Sequence, residues 1–303
     1  MVIIDSNYIG YLALYTMGDV SSSAGASGII FGFLSRILNF SEYFQTNDFV
    51  FCWDSKHSRR KIKCPFYKDR NKNRTEEEKE RLKEAYLQFV ELKDNVLPGM
   101  GFSNIFQQTG FESDDIIAKI VMDTVGDIMI ISSDEDLYQL LYNSKMYNPS
   151  QRSIMTASRL KDEYDVSPAE WATVKAIGGC TSDTVPGVAQ GIGQKTAIKY
   201  LRNQLKTDSV KYKLIKDNAD IRYRNEWLVT LPLHGTKSVQ ITPNSFNPDY
   251  FWELCAKYQF NSFLDVEGKE KWERFFKGNT VSAVNEKIKN TLNREVDYVT
   301  AIN

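Results

Sequence analysis

Glu112, Asp114 and Asp115 in GFESDD, with Asp134 and Asp136 in IISSDEDL, form two tight acidic clusters, each where an apolar run meets a turn. Two single acids follow the same pattern: Asp5 ends the run MVIID and Asp54 ends FVFCWD. An acid at the carboxyl end of a buried strand lies where open α/β sheets bind their ligands. Taken singly, Asp5 or Asp54 reads as a turn residue or helix N-cap, and residues 112–115 as a helix start with favourable charges. Taken jointly, the carboxylates crowd one sheet edge and call for a counter-ion. An all-oxygen donor set suits Mg²⁺ or Mn²⁺. Two hard cations side by side suggest phosphoryl transfer.

The net charge of the 303 residues is only −1, but its distribution is uneven. Nine Lys or Arg face a single Asp between Lys56 and Arg74 (KHSRRKIKCPFYKDRNKNR), a local charge of +8 with His57 neutral. Such a run is commonly a solvated loop. Here it directly follows Asp54, where a polyanion would need cations beside the metals. The interleaved Phe66 and Tyr67 favour nucleic acid, since aromatic faces stack bases while Lys and Arg hold phosphates. Further on, glycines 178, 179, 187, 191 and 193 leave backbone amides bare across two turns before a helix carrying Lys195, Lys199 and Arg202. A glycine-rich turn is often a plain helix connection, but bare amides at a helix N-terminus bind anions, and duplex phosphates can be held so without base reading. Asp183 inside this turn adds to the functional reading.

The elements that must position these groups alternate. Strands are expected at Val2–Asp5, Asp48–Asp54 and Asp127–Ser132. Helices are expected at Gly28–Phe44, Thr75–Leu97 with a Thr75/Glu78 capping box and a stop at Pro98 and Gly99, Ser113–Thr124, Glu135–Leu141, Ser167–Ile177 and from Gln194 to about Leu205. This order predicts an α/β fold with a mostly parallel central sheet flanked by helices. No apolar run reaches the roughly 20 residues of a membrane span, and MVIIDSNYIG has no signal-peptide pattern. Cys52, Cys64, Cys180 and Cys255 have neither zinc nor disulfide spacing, so a cytoplasmic setting is expected.

The order IID, CWD, a basic FYKDR segment, GFESDD, SSDEDLYQL and SDTVPGVAQGIGQKTA resembles the 5′-nuclease family: flap endonucleases, the 5′ nuclease domain of bacterial DNA polymerase I, phage 5′ exonucleases and phage ribonuclease H. The resemblance covers about residues 1–265, and the length looks like that of the free-standing phage type. It implies a PIN-like core with a helical arch and a helix-three-turn-helix. The domains expected are a nuclease core at 1–160 with the arch at about 56–97, a duplex-binding region with closing helices at 161–265, and a C-terminal extension at 266–303. Asp5, Asp54, Glu112, Asp114, Asp115, Asp134, Asp136 and Asp183 match the family's metal-ligand positions, with Asp134 also assigned to catalysis. Lys68 and Arg60 match arch residues that meet the scissile phosphate, and Arg59, Lys61 and Arg70 accompany them in DNA binding. Gly187, Gly191, Gly193, Lys195 and Lys199 fall in the helix-three-turn-helix, which in the family often holds K⁺.

The implied activity is 5′-3′ exonuclease and flap endonuclease hydrolysis with two Mg²⁺, replaceable by Mn²⁺, as in phage DNA replication. The implied partners are branched, flapped or nicked DNA, RNA–DNA hybrid, and a single-strand binding protein or sliding clamp; the chain is expected to act as a monomer. Two readings compete: a PIN-type single-strand ribonuclease, which needs neither basic arch nor glycine-rich turn, and a junction-binding protein with weak catalysis. One departure stands out. The family writes G-D-x-x-D before P-G-V, whereas this chain has Gly178, Gly179, Cys180, Thr181, Ser182 and Asp183. The first aspartate is missing, with Gly179 or Cys180 in its place.

Overall fold

Val2–Asp5 and Phe49–Trp53 are buried along their whole length, and their side chains alternate between two separate cores. Ile4, Phe49, Phe51 and Trp53 enter one core, while Ile3, Val50 and Cys52 enter the other. A strand covered on both faces reads as a continuous apolar run, which is why these segments show no polar alternation. In the computed structural model, which describes residues 1–278 apart from 19, 24 and 70–73, they form the centre of a sheet covered by helices on both sides.

In chain order the elements are β1 (Val2–Asp5), α1 (Ser6–Met17), a small ribbon of β2 (Ser21–Ser22) and β3 (Gly25–Ala26), α2 (Gly28–Phe44), β4 (Phe49–Trp53) and α3 (Arg59–Lys63). Next come α4 (Glu76–Glu91), which runs through a π turn at Leu92–Val96 into α5 (Leu97–Gly99), then β5 (Ile105–Gln107), α6 (Ser113–Asp123) and β6 (Met129–Ile131). A 3₁₀ turn (Glu135–Leu140), β7 (Lys145–Asn148), β8 (Ser153–Met155), α7 (Ala157–Tyr164), α8 (Pro168–Gly178) and α9 (Gln194–Leu201) follow. The chain closes with α10 (Val210–Asp217), α11 (Ala219–Val229), α12 (Pro248–Lys257), α13 (Asn261–Leu264) and α14 (Val266–Lys277).

The strand order is β5-β4-β1-β6-β7-β8. All pairings are parallel except β7–β8. The sequence therefore predicted the class and the strands nearest the acids. It did not predict α1, β5, β7 or β8, or that the arch helix passes Pro98 through its π turn before ending at Gly99. The capping box is as expected: Thr75 accepts from the Glu78 amide at 3.2 Å and Glu78 from the Thr75 amide at 2.9 Å.

The two cores differ in what they support. On one side α1, α2, α4 and α12 to α14 pack an aromatic cluster over β1 and β4. On the other, α6, the 3₁₀ turn, α8 and α9 pack aliphatic side chains over β1 and β6. The polar composition of residues 266–303 gave an appended extension, yet its first part belongs to the fold. Trp272 of α14 is fully buried, its ring centroid 4.2 Å from Phe251 and 5.1 Å from Phe275. The amphipathic stripe of α14 closes the aromatic core, and residues 279–303 lie outside the described residues. Trp272→Ala is expected to cost about 3–5 kcal/mol in urea unfolding, the usual loss for a buried aromatic. Trp272→Phe should cost much less, because the Trp272 indole N–H has no hydrogen-bond partner to lose.

Candidate active site

The parallel strands β1, β4 and β6 end at one edge, and the turns leaving them carry the acids. Asp5 closes β1 and caps α1, accepting from the Tyr8 amide at 3.4 Å. Its carboxylate also accepts from Ser132 Oγ at 2.8 Å and Ser113 Oγ at 3.2 Å. Asp54, one residue past β4, accepts from the Ser113 amide at 2.8 Å, while its own amide donates to Asn7 Oδ1 at 2.7 Å. Asp134 caps the 3₁₀ turn, accepting from the Asp136 amide at 2.8 Å. Glu112 caps α6. The N-termini of α1, α6 and the 3₁₀ turn thus border the cleft and favour negative charge there.

Asp5, Asp54 and Asp134 line one cavity of about 510 Å³, together with Asn7, Tyr8, Tyr11, Lys68, Lys175 and the Cys180–Ser182 turn. Asp114 also faces it. Among the described residues no donor meets the Asp114 carboxylate, although the residue is only 8% exposed. A buried carboxylate without a partner is costly, and burial, with Asp134 and Asp5 nearby, pushes its pKa well above the usual range. Burial likewise raises Asp5 to about 7, helped by Asp54, and Asp136 to about 7, helped by Asp134. Burial raises Asp54 and Asp183 too, opposed in both by Lys68. Glu112 goes the other way. Burial alone would raise it, but Lys68 and Arg60 outweigh that and bring it to about 2.

Lys68 is the cation in the middle. Its ammonium lies 2.7 Å from Glu112 Oε2 and 3.7 Å from Asp183 Oδ2. Its amide donates to the Asp183 carbonyl at 2.9 Å. Tyr67, expected to stack a base, is instead buried, with its hydroxyl 3.0 Å from both Glu112 and Asp183 carboxylates. Phe66 is the exposed aromatic, with the Arg224 guanidinium 5.2 Å above its ring.

Two expected site residues are placed elsewhere. Arg60, taken for a phosphate contact, is 1% exposed and makes a two-pronged pair with Asp115 at 2.6 and 2.8 Å. It also donates to the Leu228 and Thr230 carbonyls. Asp115, taken for a metal ligand, is fully buried and further accepts from the Leu233 and Glu112 amides. Both groups are saturated by each other and by backbone, so neither is available to a cation or a phosphate. The pair ties α3 to α6 and to the end of α11. Arg202 is similarly engaged, by Glu170 at 2.7 and 2.8 Å, rather than free for phosphate.

Arg59 is exposed, its guanidinium 4.5 Å over the Phe111 ring, and exposed Lys61 reaches the Lys68 carbonyl at 3.4 Å. Arg70 lies outside the described residues. The glycine turn forms a second cavity of about 470 Å³, lined by Gly178, Gly179, Thr181, Gly193, Gln194, Lys195 and Thr196. Gly191 adopts φ 77°, and a side chain on Gly187 would lie 2.4 Å from the Ile192 carbonyl. Lys195 and Lys199 are exposed on α9. Gly179 has φ 84°, and a side chain there would lie 2.5 Å from the Gly187 amide. Of the two positions, only Cys180 carries a side chain: its Sγ and carboxylate oxygens of Asp136 and Asp183 lie within 4.8 Å of one another beside the cleft.

Sequence reasoning overlooked Lys175. It lies on α8, only 4% exposed, with its ammonium 3.0 Å from Glu135 Oε2 and 3.4 Å from Asp136 Oδ1. Burial lowers its pKa, but the Asp136 and Glu135 charges raise it further than that. The available signal was weak: one lysine on an otherwise apolar helix face.

A family model for the 5′-3′ exonuclease N-terminal, resolvase-like domain matches residues 1–165. The chain belongs to the 5′-3′ exonuclease family. It is 27% identical over 278 residues to a 5′-3′ exonuclease of Buchnera aphidicola, covering 89% of this chain and 90% of that one. Among solved structures, T5 5′-exonuclease with zinc bound matches at TM-score 0.64 and 21% identity, over 77% of this chain and 89% of that one. The catalytic core of Rad2 with DNA substrate matches at TM-score 0.52 and 15% identity, over 91% of each chain. In the family member described here, as in these neighbours, helices cover a mostly parallel sheet. No described helix is long and apolar enough to cross a membrane.

Two measurements probe these assignments. Arg60→Ala leaves Asp115 charged and unpaired in the interior and should cost about 3–5 kcal/mol of folding stability by urea unfolding, whereas a surface phosphate contact would cost almost none. The raised acids set a pH dependence with a definite sign. Asp5 and Asp136 bind protons more tightly folded than unfolded, so stability falls as pH rises from the ordinary carboxylate value to about 7. Glu112 acts oppositely: its contribution is lost only as pH falls towards about 2. Metal-free protein should therefore melt on the order of 5 °C higher at about pH 6 than at about pH 8. Saturating Mg²⁺ should flatten the difference in a thermal scan.

Proposed function

We propose that this chain hydrolyses phosphodiesters near the 5′ end of branched or flapped DNA, with two divalent cations held in the acidic cleft. The observation that carries the reading is the convergence of the Asp5, Asp54, Asp114 and Asp134 carboxylates with Lys68 in one cavity at the sheet edge, beside a second cavity formed by the glycine-rich turn. At the ends of β1, β4 and β6 the donor set fits hard cations. Asp5, Asp54, Asp114 and Asp134 offer carboxylates in the cavity, Asp114 has no donor among the described residues, Glu112 would join them once released by Lys68, and Asp136 and Asp183 offer two more beside the Cys180 thiol. When bound, Mg²⁺ or Mn²⁺ would lower the pKa of an attacking water and neutralise charge on the phosphate. T5 5′-exonuclease has been seen with zinc bound, and a variant of the T5 flap endonuclease in a pseudo-enzyme-product complex with DNA and metal ions, which supports the same assignment here.

The chain's own residues would do the rest. Lys68, held by Glu112 and Asp183 at the cleft mouth, would pair with the scissile phosphate once cations take over those carboxylates. Tyr67 orients the same two acids from beneath. Tyr11, half-exposed on α1 and lining the cleft, would give a base a face to stack on. Amides of the glycine turn, with Lys195 and Lys199, would hold duplex phosphates without reading sequence, and a K⁺ ion would suit the same turn. Products would be a 5′-phosphate and a 3′-hydroxyl.

The test is cleavage of 5′-labelled flap, nicked duplex and RNA–DNA hybrid with Mg²⁺ or EDTA. Flap and nick cleavage should vanish in EDTA, and cleavage of the hybrid would extend the substrate range to primer RNA. Asp134→Asn should reduce cleavage by more than the roughly 10–100-fold lost with a supporting group, with flap affinity kept. Lys68→Ala should lower the single-turnover rate more than affinity. Junction-indifferent cleavage of single-stranded RNA would instead establish the ribonuclease alternative.

A further inference from the structure

Cys180 gives one corner of the cleft a donor set unlike the rest. Its Sγ lies 3.8 Å from both carboxylate oxygens of Asp136 and 3.0 Å from Ser182 Oγ. One ligand atom each from Asp136, Cys180 and Asp183 falls within 4.8 Å of the others, and all three residues are buried. The backbone presenting them is pinned. Cys180 and Val185 exchange both amide hydrogen bonds at 2.9 Å, and the Asp183 carbonyl accepts from the Lys68 amide. No side chain at Gly179 could replace the sulfur, for want of room beside Gly187.

Hard-cation chemistry is poorly served here. Asp136 already answers to the Lys175 ammonium at 3.4 Å, and Asp183 to Lys68 at 3.7 Å and the Tyr67 hydroxyl at 3.0 Å. Mg²⁺ requires oxygen ligands in near-octahedral array and gains nothing from a thiol. Borderline cations bind sulfur and carboxylate oxygen together. A tetrahedral ion with Zn–S near 2.3 Å and Zn–O near 2.1 Å holds its ligands about 3.6 Å apart, close to the 3.8 Å from Cys180 Sγ to the Asp136 oxygens and inside the 4.8 Å that spans all three ligand atoms. That the cleft as a whole expects cations is indicated independently by Asp114, buried, facing the same cavity and unpartnered among the described residues.

We infer that the Asp136–Cys180–Asp183 corner binds a borderline divalent cation of the Zn²⁺ or Co²⁺ class through the Cys180 sulfur, in preference to Mg²⁺. The inference rests on the nuclease reading for the presence of cations in the cleft and goes beyond it in their identity. On binding, the S–H bond breaks, a metal–sulfur bond forms and the proton passes to solvent. Any proton held by the Asp136 or Asp183 carboxyl leaves with it, and nothing is oxidised or reduced.

The experiment uses the full chain stripped of metal and titrated with Co²⁺. A sulfur-to-cobalt charge-transfer band in the near ultraviolet is expected, with a proton release into weak buffer that exceeds that of Cys180→Ser. In Cys180→Ser the band should vanish and affinity for Co²⁺ and Zn²⁺ should fall roughly tenfold or more, with Mg²⁺ affinity unchanged. Cys180→Asp should lose the band and gain Mg²⁺ affinity. The other cysteines, Cys52, Cys64 and Cys255, are buried and unpaired and persist in both variants, so a band they produced would survive in Cys180→Ser and overturn the inference. A wild-type protein with no band would overturn it equally. Should the variants fold poorly, peptide mapping of iodoacetamide-treated wild type decides: protection of Cys180 by Zn²⁺ but not Mg²⁺ supports sulfur ligation, and equal labelling refutes it. Flap cleavage without the band refutes the sulfur site alone. The band without divalent-dependent cleavage refutes the nuclease reading and leaves the sulfur site standing.

Discussion

Mutual repulsion among buried carboxylates is the constraint around which the rest of this structure is arranged. Parallel strands β1, β4 and β6 deliver acids to one edge because their carboxyl ends coincide, and the aromatic and aliphatic cores on either face keep water from screening them. The fold answers with a few fixed cations. Arg60 neutralises Asp115 outright, Lys68 spans Glu112 and Asp183, and Lys175 spans Glu135 and Asp136. Asp5 and Asp114 are left to serine hydroxyls or to no donor among the described residues, which is where mobile cations have most to offer.

The three protein cations divide into different tasks by burial. Arg60 is sealed, and its planar fork is filled on both prongs by one carboxylate, so it acts as a rivet between α3, α6 and the segment after α11. Lys68 remains partly open to the cleft, which suits the phosphate role proposed for it. Lys175 stands between, buried on α8 yet lining the cavity. Charge alone does not separate these roles; access does.

Much of this was legible in the sequence. Asp5 and Asp54 could be placed because each ends an apolar run that only a doubly covered strand explains, and the Thr75/Glu78 box is a local signal that needs no tertiary knowledge. Arg60 and Tyr67 could not. Their segment carries nine cationic residues and reads as solvated, and what buries Arg60 is an acid 55 residues away, inside a cluster that looks uniformly catalytic. Lys175 escaped for the opposite reason, since a single lysine in a helix ordinarily extends to solvent. The choice between Gly179 and Cys180 turned on a positive φ and a close backbone approach, which no spacing argument reveals.

Gln194, the first residue of α9, borders both the acidic cleft and the glycine-turn cavity, and its side-chain amide donates to Glu135 at 3.4 Å. The two cavities thus share a wall made of the α8–α9 junction, packed so closely that a side chain on Gly178 would lie 2.6 Å from the Gln194 amide. A duplex seated on the turn would meet the acidic edge at a distance set by this junction rather than by the length of its strand. On the function proposed above, the junction would serve as a ruler, and the bond presented for cleavage would be chosen by counting from the double-stranded end, whatever the bases.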